Sequence, residues 1–253
     1  MKSTIATADL KKALSIFKKT AKSLLNPERV IAVRASGGKL VLSLANGTEE
    51  IIFHPGTEAE DANETHWTTL KSLESALSGK SVVIESDGPA EEDKLRVNRI
   101  ALEVRNELSI PLPVPDAPTE AFAKAQQDAY LTVLPAVAKP ADDTRRQLYY
   151  VCWNPDGMTA SNGKILLHVH GVGVPESRCI PSGPLIPAII RAEAEALMGI
   201  AVERKLIEKD DLSESVCFAL YGEKFTYITK WKDFTYPTVR HVMTMTLDRK
   251  SVV

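Results

Sequence analysis

The sequence predicts an α+β fold of two repeated domains, each with two helices packed on antiparallel sheets. Three observations lead there. The order helix, strands, helix, strands occurs twice along the 253 residues, the mark of an internal structural repeat. Between the halves runs Pro111-Leu112-Pro113-Val114-Pro115-Asp116-Ala117-Pro118, a spacing that favours an extended, stiff connector. Hydrophobic residues make up 44% and charged residues 25%, the balance of a globular chain with a buried core. The boundary is expected near residues 112–120, giving domains over 1–115 and 120–253.

The first half opens with a short strand over residues 2–6. Thr7 is then placed to cap a helix, with Asp9 in its first turn. This helix runs to about Leu25 and must end before Pro27. Strand patterns follow at 29–35, 39–45 and 48–54. The turns between them are Ser36-Gly37-Gly38 and Asn46-Gly47, the second a strong hairpin cue. Residues 57–65 are polar and read as a loop. Leu70, Leu73, Ala76 and Leu77 share one face of a helix expected over 67–78. Strands are expected at 80–86, 94–99 and 101–109.

In the second half a helix begins near Ala121, and Pro135 kinks or ends it. Strands are expected at 147–154, 157–160 and 164–170. A helix then starts near Pro184 and runs to about Met198. Strands return at 200–206, 215–221 and 224–231, with a short one near 239–246.

Composition narrows the function. No stretch reaches the roughly 20 apolar residues of a membrane span, and Met1-Lys2-Ser3-Thr4-Ile5 lacks the apolar region of a signal peptide. A cytoplasmic protein is expected. Cys152, Cys179 and Cys217 are odd in number and widely spaced, which argues against a disulfide framework. The net charge is −2, so any nucleic-acid surface must gather its positive charge on one face.

Such a face is visible on the first helix. Leu10, Ala13, Leu14, Phe17, Ala21 and Leu24 form one apolar stripe. Lys11, Lys12, Lys18, Lys19 and Lys22 lie off it. Lys11, Ser15, Lys18 and Lys22 are spaced by three and four residues and line one row. Lysines neutralise phosphates and release counterions without choosing a sequence. The competing reading is an ordinary solvated basic face. No helix-turn-helix, zinc-finger or RNA-binding motif supplies base readout.

Four segments resemble the middle domain of bacterial DNA polymerase sliding clamps, in the family's order. Arg145-Arg146-Gln147-Leu148-Tyr149-Tyr150-Val151-Cys152-Trp153 is similar to the strand after the family's first helix. Thr159-Ala160-Ser161-Asn162-Gly163-Lys164-Ile165-Leu166 is similar to its A-T-D-G-H-R-L segment. Cys179-Ile180-Pro181 to Ile190 resembles its I-V-P strand and helix. Phe225-Thr226-Tyr227 to Phe234-Thr235-Tyr236-Pro237-Thr238-Val239-Arg240-His241-Val242 resembles its G-R-F-P-D-Y-R-R-V ending. The first half resembles the clamp's first domain more loosely.

The resemblance implies a non-enzymatic processivity factor without cofactor or catalytic residues. In the family, six domains close a ring whose helices line the hole. Two domains per chain then imply a homotrimer encircling double-stranded DNA. Lys11, Lys12, Lys18, Lys19 and Lys22 would meet the phosphates, with Arg145 and Arg146 adding to them. A DNA polymerase and a clamp loader would dock through short peptides. The matching pocket positions are Leu148, Ser161, Gly163, Lys164, Ile165, Leu166, Pro237 and Val242. Each of these reads equally well as a core or turn residue. Lys164 and Ile165 stand where the family has His-Arg.

Two other readings stay open. One is a clamp-fold module that binds proteins without encircling DNA. The other is a metal-dependent hydrolase built on His168 and His170, which alternate on one strand and point to the same side. No third ligand stands at useful spacing, and no nucleophile elbow, P-loop or dinucleotide fingerprint is present. No metal site is therefore expected.

Overall fold

The structure is a computed structural model. It describes residues 1–23, 30–45, 49–59, 65–86, 95–102, 118, 120–139, 146–192, 197–206 and 214–232. The proline-rich connector up to residue 117, the Asn46-Gly47 turn and the expected strand at 239–246 lie outside these. The chain divides into two compact units: Met1–Asp116 with Ala219–Thr229, and Ala117–Phe218 with Lys230–Val253.

In the first unit, β1 (Lys2–Ala6) alternates exposed and buried residues and pairs antiparallel with β6 (Ser81–Ser86). β7 (Leu95–Val97) and β8 (Ile100–Ala101) complete that sheet in the order β1-β6-β7-β8. α1 (Thr7–Ser23) packs on β1 and contacts β3 (Lys39–Ala45), β4 (Glu49–Phe53) and α2 (Leu70–Ser75). Leu10, Ala13, Leu14 and Phe17 of the expected stripe are buried. Large apolar side chains contribute roughly 1.5–3 kcal/mol each when fully buried. Ile16, outside that stripe, is buried too. Contacts with α2 as well as the strands give α1 a wider buried arc than one sheet would.

The helix begins one residue earlier than expected. Thr7 is its first residue rather than its cap, and the Thr7 Oγ1 is buried without a hydrogen-bond partner. The Thr7 N–H instead donates to the Lys80 carbonyl at 3.0 Å. β2 (Val30–Ser36) and β3 form a hairpin closed by Gly37 and Gly38, with φ of 58° and 72°. Two consecutive positive φ values match the right-handed twist of the strands and are available to glycine at no steric cost.

The helix expected over 67–78 is present but shorter, starting later and ending earlier. Thr65–Thr69 is a strand, β5, paired antiparallel with β2, and only Leu70–Ser75 is α-helical. Threonine and tryptophan suit a pleated surface, and the β2 edge supplies the ladder. Thr69 then caps α2, its Oγ1 accepting from the Ser72 N–H at 3.1 Å.

In the second unit, α3 (Lys124–Val133) starts later than expected, after the buried Phe122 and an extended Ala123 at its cap. Pro135 ends it as expected, in a 3-10 turn over Leu134–Ala136. The strand expected from 147 starts only at β9 (Tyr150–Asn154). Arg146–Tyr149 forms a 3-10 turn, held where the Ala138 N–H donates to the Leu148 carbonyl. β10 (Gly157–Ser161), β11 (Leu166–His170) and β12 (Arg178–Pro181) complete an antiparallel sheet in the order β11-β10-β9-β12. A side chain at Gly157 would come within 1.9 Å of the Val169 carbonyl oxygen, so only glycine fits there.

α3 packs on β10 and β11. Tyr130 donates from its hydroxyl to the Pro181 carbonyl at 2.7 Å, and Trp153 donates to the Val172 carbonyl. α4 (Leu185–Ala192) ends before the expected Met198, which belongs to β13 (Leu197–Leu206). Ile200, within the strand expected over 200–206, exchanges backbone hydrogen bonds with Glu120. β14 (Glu214–Gly222) neighbours β13. β15 (Phe225–Lys232) pairs with β4 of the first unit through its residues Phe225–Thr229, giving the order β15-β4-β3-β2-β5 there. No helix among the described residues is long and apolar enough to cross a membrane.

Candidate nucleic-acid interface and partner groove

α1 presents Lys11, Lys12, Ser15 and Lys18 on its exposed side. Lys19 and Lys22 lie on the same helix, and their side-chain placements fall outside the described residues, as does that of Arg146; Arg145 lies outside altogether. The row is not purely basic in space. Lys18 Nζ is 2.6 Å from Glu74 Oε1 on α2. Both partners are partly exposed, so the pair adds only about 0–1 kcal/mol to stability, but it neutralises part of the row. Asp9, at the helix start, takes Lys224 at 2.8 Å. Neither carboxylate partnership was legible from spacing along the helix.

The second candidate surface is the turn joining β10 to β11. Asn162 Oδ1 accepts from the N–H groups of Lys164 and Ile165, both at 2.9 Å. Ser161 Oγ accepts from the Gly163 N–H at 3.1 Å, and Gly163 takes φ 81°. This side-chain-to-backbone turn is what Ser161-Asn162-Gly163 predicts. It leaves Lys164 exposed and Ile165 56% exposed, with Leu166 half-buried beside them on β11. Leu148 and Ser161 are buried. Pro237 and Val242 lie outside the described residues.

On β11, His168 and His170 do face the same side. His168 Nε2 is 3.0 Å from His170 Nδ1, and His168 Nδ1 is 2.6 Å from Thr159 Oγ1. Among the described residues no group of three or more His, Cys, Asp or Glu side chains stands close enough to hold a metal ion. Cys152 is buried, and burial pushes its thiol up to about 11, which keeps it protonated and unreactive near neutral pH. Cys179 is half-buried. Trp153 is buried in the core against Phe122, and Trp67 is half-buried on β5.

This arrangement of paired helices and antiparallel sheets is the DNA polymerase sliding-clamp fold. Solved structures similar to this chain over 95% of its length include the Helicobacter pylori beta clamp bound to a DNA ligase peptide, at 16% identity and TM-score 0.61. The DNA polymerase sliding clamp of Caulobacter crescentus matches at 14% identity and TM-score 0.64. The beta subunit of the Streptococcus pyogenes DNA polymerase matches at 14% and 0.64. The chain covers 68%, 68% and 67% of those three chains. No family model and no curated protein matches the sequence. The α+β expectation is borne out, and the likeness is one of fold.

Proposed function

We propose that this chain is a sliding clamp that encircles double-stranded DNA without sequence preference and tethers a DNA polymerase. The observation that carries this reading is the clamp fold running through 95% of the chain. The exposed lysines of α1 support it, because a sequence-independent tether needs phosphate contacts and no base readout. Lys11, Lys12, Lys18, Lys19 and Lys22 are the proposed DNA contacts, joined by Arg145 and Arg146. Two clamp-type domains, 1–115 and 120–253, would close a six-domain ring as a homotrimer. The chain makes and breaks no bond in this role, and its place is the cytoplasm. The polymerase and the clamp loader would dock their peptides at Leu148, Ser161, Gly163, Lys164, Ile165, Leu166, Pro237 and Val242, with Ile165 and Leu166 as the accessible apolar contacts.

The test is retention on circular against linear DNA. A closed ring loaded on nicked circular duplex stays bound through gel filtration and runs off once the circle is cut. Equal, salt-sensitive loss from both forms would reject encirclement and leave a clamp-fold module that binds proteins only.

A further inference from the structure

We propose that His168 and His170 form a chelating site for a late divalent transition metal, copper(II) or nickel(II). β11 is the edge strand of its sheet, and residues two apart on a strand share a face. The two rings therefore stand side by side, His170 exposed and His168 half-buried, with solvent open to the remaining coordination positions.

Two features go beyond proximity. Thr159 is the cross-strand partner of His168, and its hydroxyl lies 2.6 Å from His168 Nδ1. A hydrogen bond on one ring nitrogen orients the ring and turns the other nitrogen, here Nε2, towards His170, the usual support of a ligating histidine. The second feature is the 3.0 Å between His168 Nε2 and His170 Nδ1. It brings both nitrogens within reach of one ion once the hydrogen bond between them gives way. Imidazole donors suit copper and nickel, and copper(II) binds a given nitrogen donor set more tightly than zinc(II).

On binding, the hydrogen bond between the rings is lost. Whichever ring nitrogen carries the shared proton passes it to that ring's other nitrogen through solvent, and both rings ligate as neutral imidazoles without electron transfer.

The experiment is a copper(II) titration of the tag-free, full-length chain, followed by electron paramagnetic resonance, with nickel(II) and zinc(II) titrated by calorimetry. The expected result is a copper signal split by two imidazole nitrogens, with copper(II) binding more tightly than zinc(II). His170→Ala should reduce the split to one nitrogen and weaken binding by at least about tenfold. Circular dichroism checks that this exposed-site variant is folded. Thr159→Val should weaken binding less. Unchanged binding in both His168→Ala and His170→Ala, or no saturable binding by the parent chain, would overturn the site. The remaining histidines, His54, His66 and His241, are common to all variants, so any binding to them appears as unchanged background.

Discussion

Lys18 and Glu74 form an ion pair of 2.6 Å between α1 and α2. The basic row proposed to track phosphates is therefore partly occupied by a carboxylate of the same chain. Glu74→Gln should release Lys18, raise affinity for duplex DNA and steepen its salt dependence by about one charge. Fluorescence anisotropy across a salt series reads both.

Changing Lys11, Lys18 and Lys22 together to glutamate should act in the opposite direction. Each phosphate left without its lysine lowers the slope of log affinity against log salt by about 0.9. Glutamate at 18 would also face Glu74. An unchanged slope in a folded variant would remove these lysines from the interface.

The assembly is read from the native mass in solution. The homotrimer proposed for this 27.7 kDa chain would weigh about 83 kDa, and a closed ring of that kind is a symmetric homo-oligomer. Light scattering across a concentration series should give that mass. A constant monomer mass would count against a preassembled ring.

Ile165 separates binding from folding. It is 56% exposed, so Ile165→Asp should change stability by no more than about 0.5 kcal/mol while weakening a bound partner peptide. Leu166→Lys should do the same, at some cost in stability because Leu166 is half-buried. Calorimetry with a clamp-binding peptide, beside urea unfolding of each variant, distinguishes the two effects. Full peptide affinity in Ile165→Asp would move the groove elsewhere.

His54 links stability to pH. Its Nε2 lies 3.2 Å from Thr226 Oγ1. Burial, then Arg34 and Lys39, hold its pKa below the ordinary 6.5. Below pH 6.5 the unfolded chain takes up a proton that the folded chain resists. Its contribution is thus fully present above pH 6.5 and is lost as pH falls through the depressed folded value. His54→Gln should flatten the fall in stability below pH 6.5, measured by urea unfolding at successive pH values.

Much of the fold was legible because its signals are local. The three- and four-residue spacing of Leu10, Ala13, Leu14 and Phe17 marks a helix face whatever it packs on. Gly37 and Gly38 permit the hairpin turn, and Pro135 stops α3 where its missing N–H breaks the helical ladder. The candidate sites were legible as residue types in order, chiefly the lysine row and the Ser161-Asn162-Gly163 turn. Their surroundings were not.

The sequence by itself determined the two-part α+β pattern, the basic row on α1 and the turn before Ile165, because each depends on residues within a few positions of one another. Tertiary structure alone decided that Thr65–Thr69 is a strand, since the edge of β2 supplies its hydrogen bonds. It likewise set Glu74 against Lys18 and His168 at 3.0 Å from His170. Ion pairs and ring contacts are fixed by where packing brings distant elements and how it turns each side chain, and no periodicity along the chain encodes that.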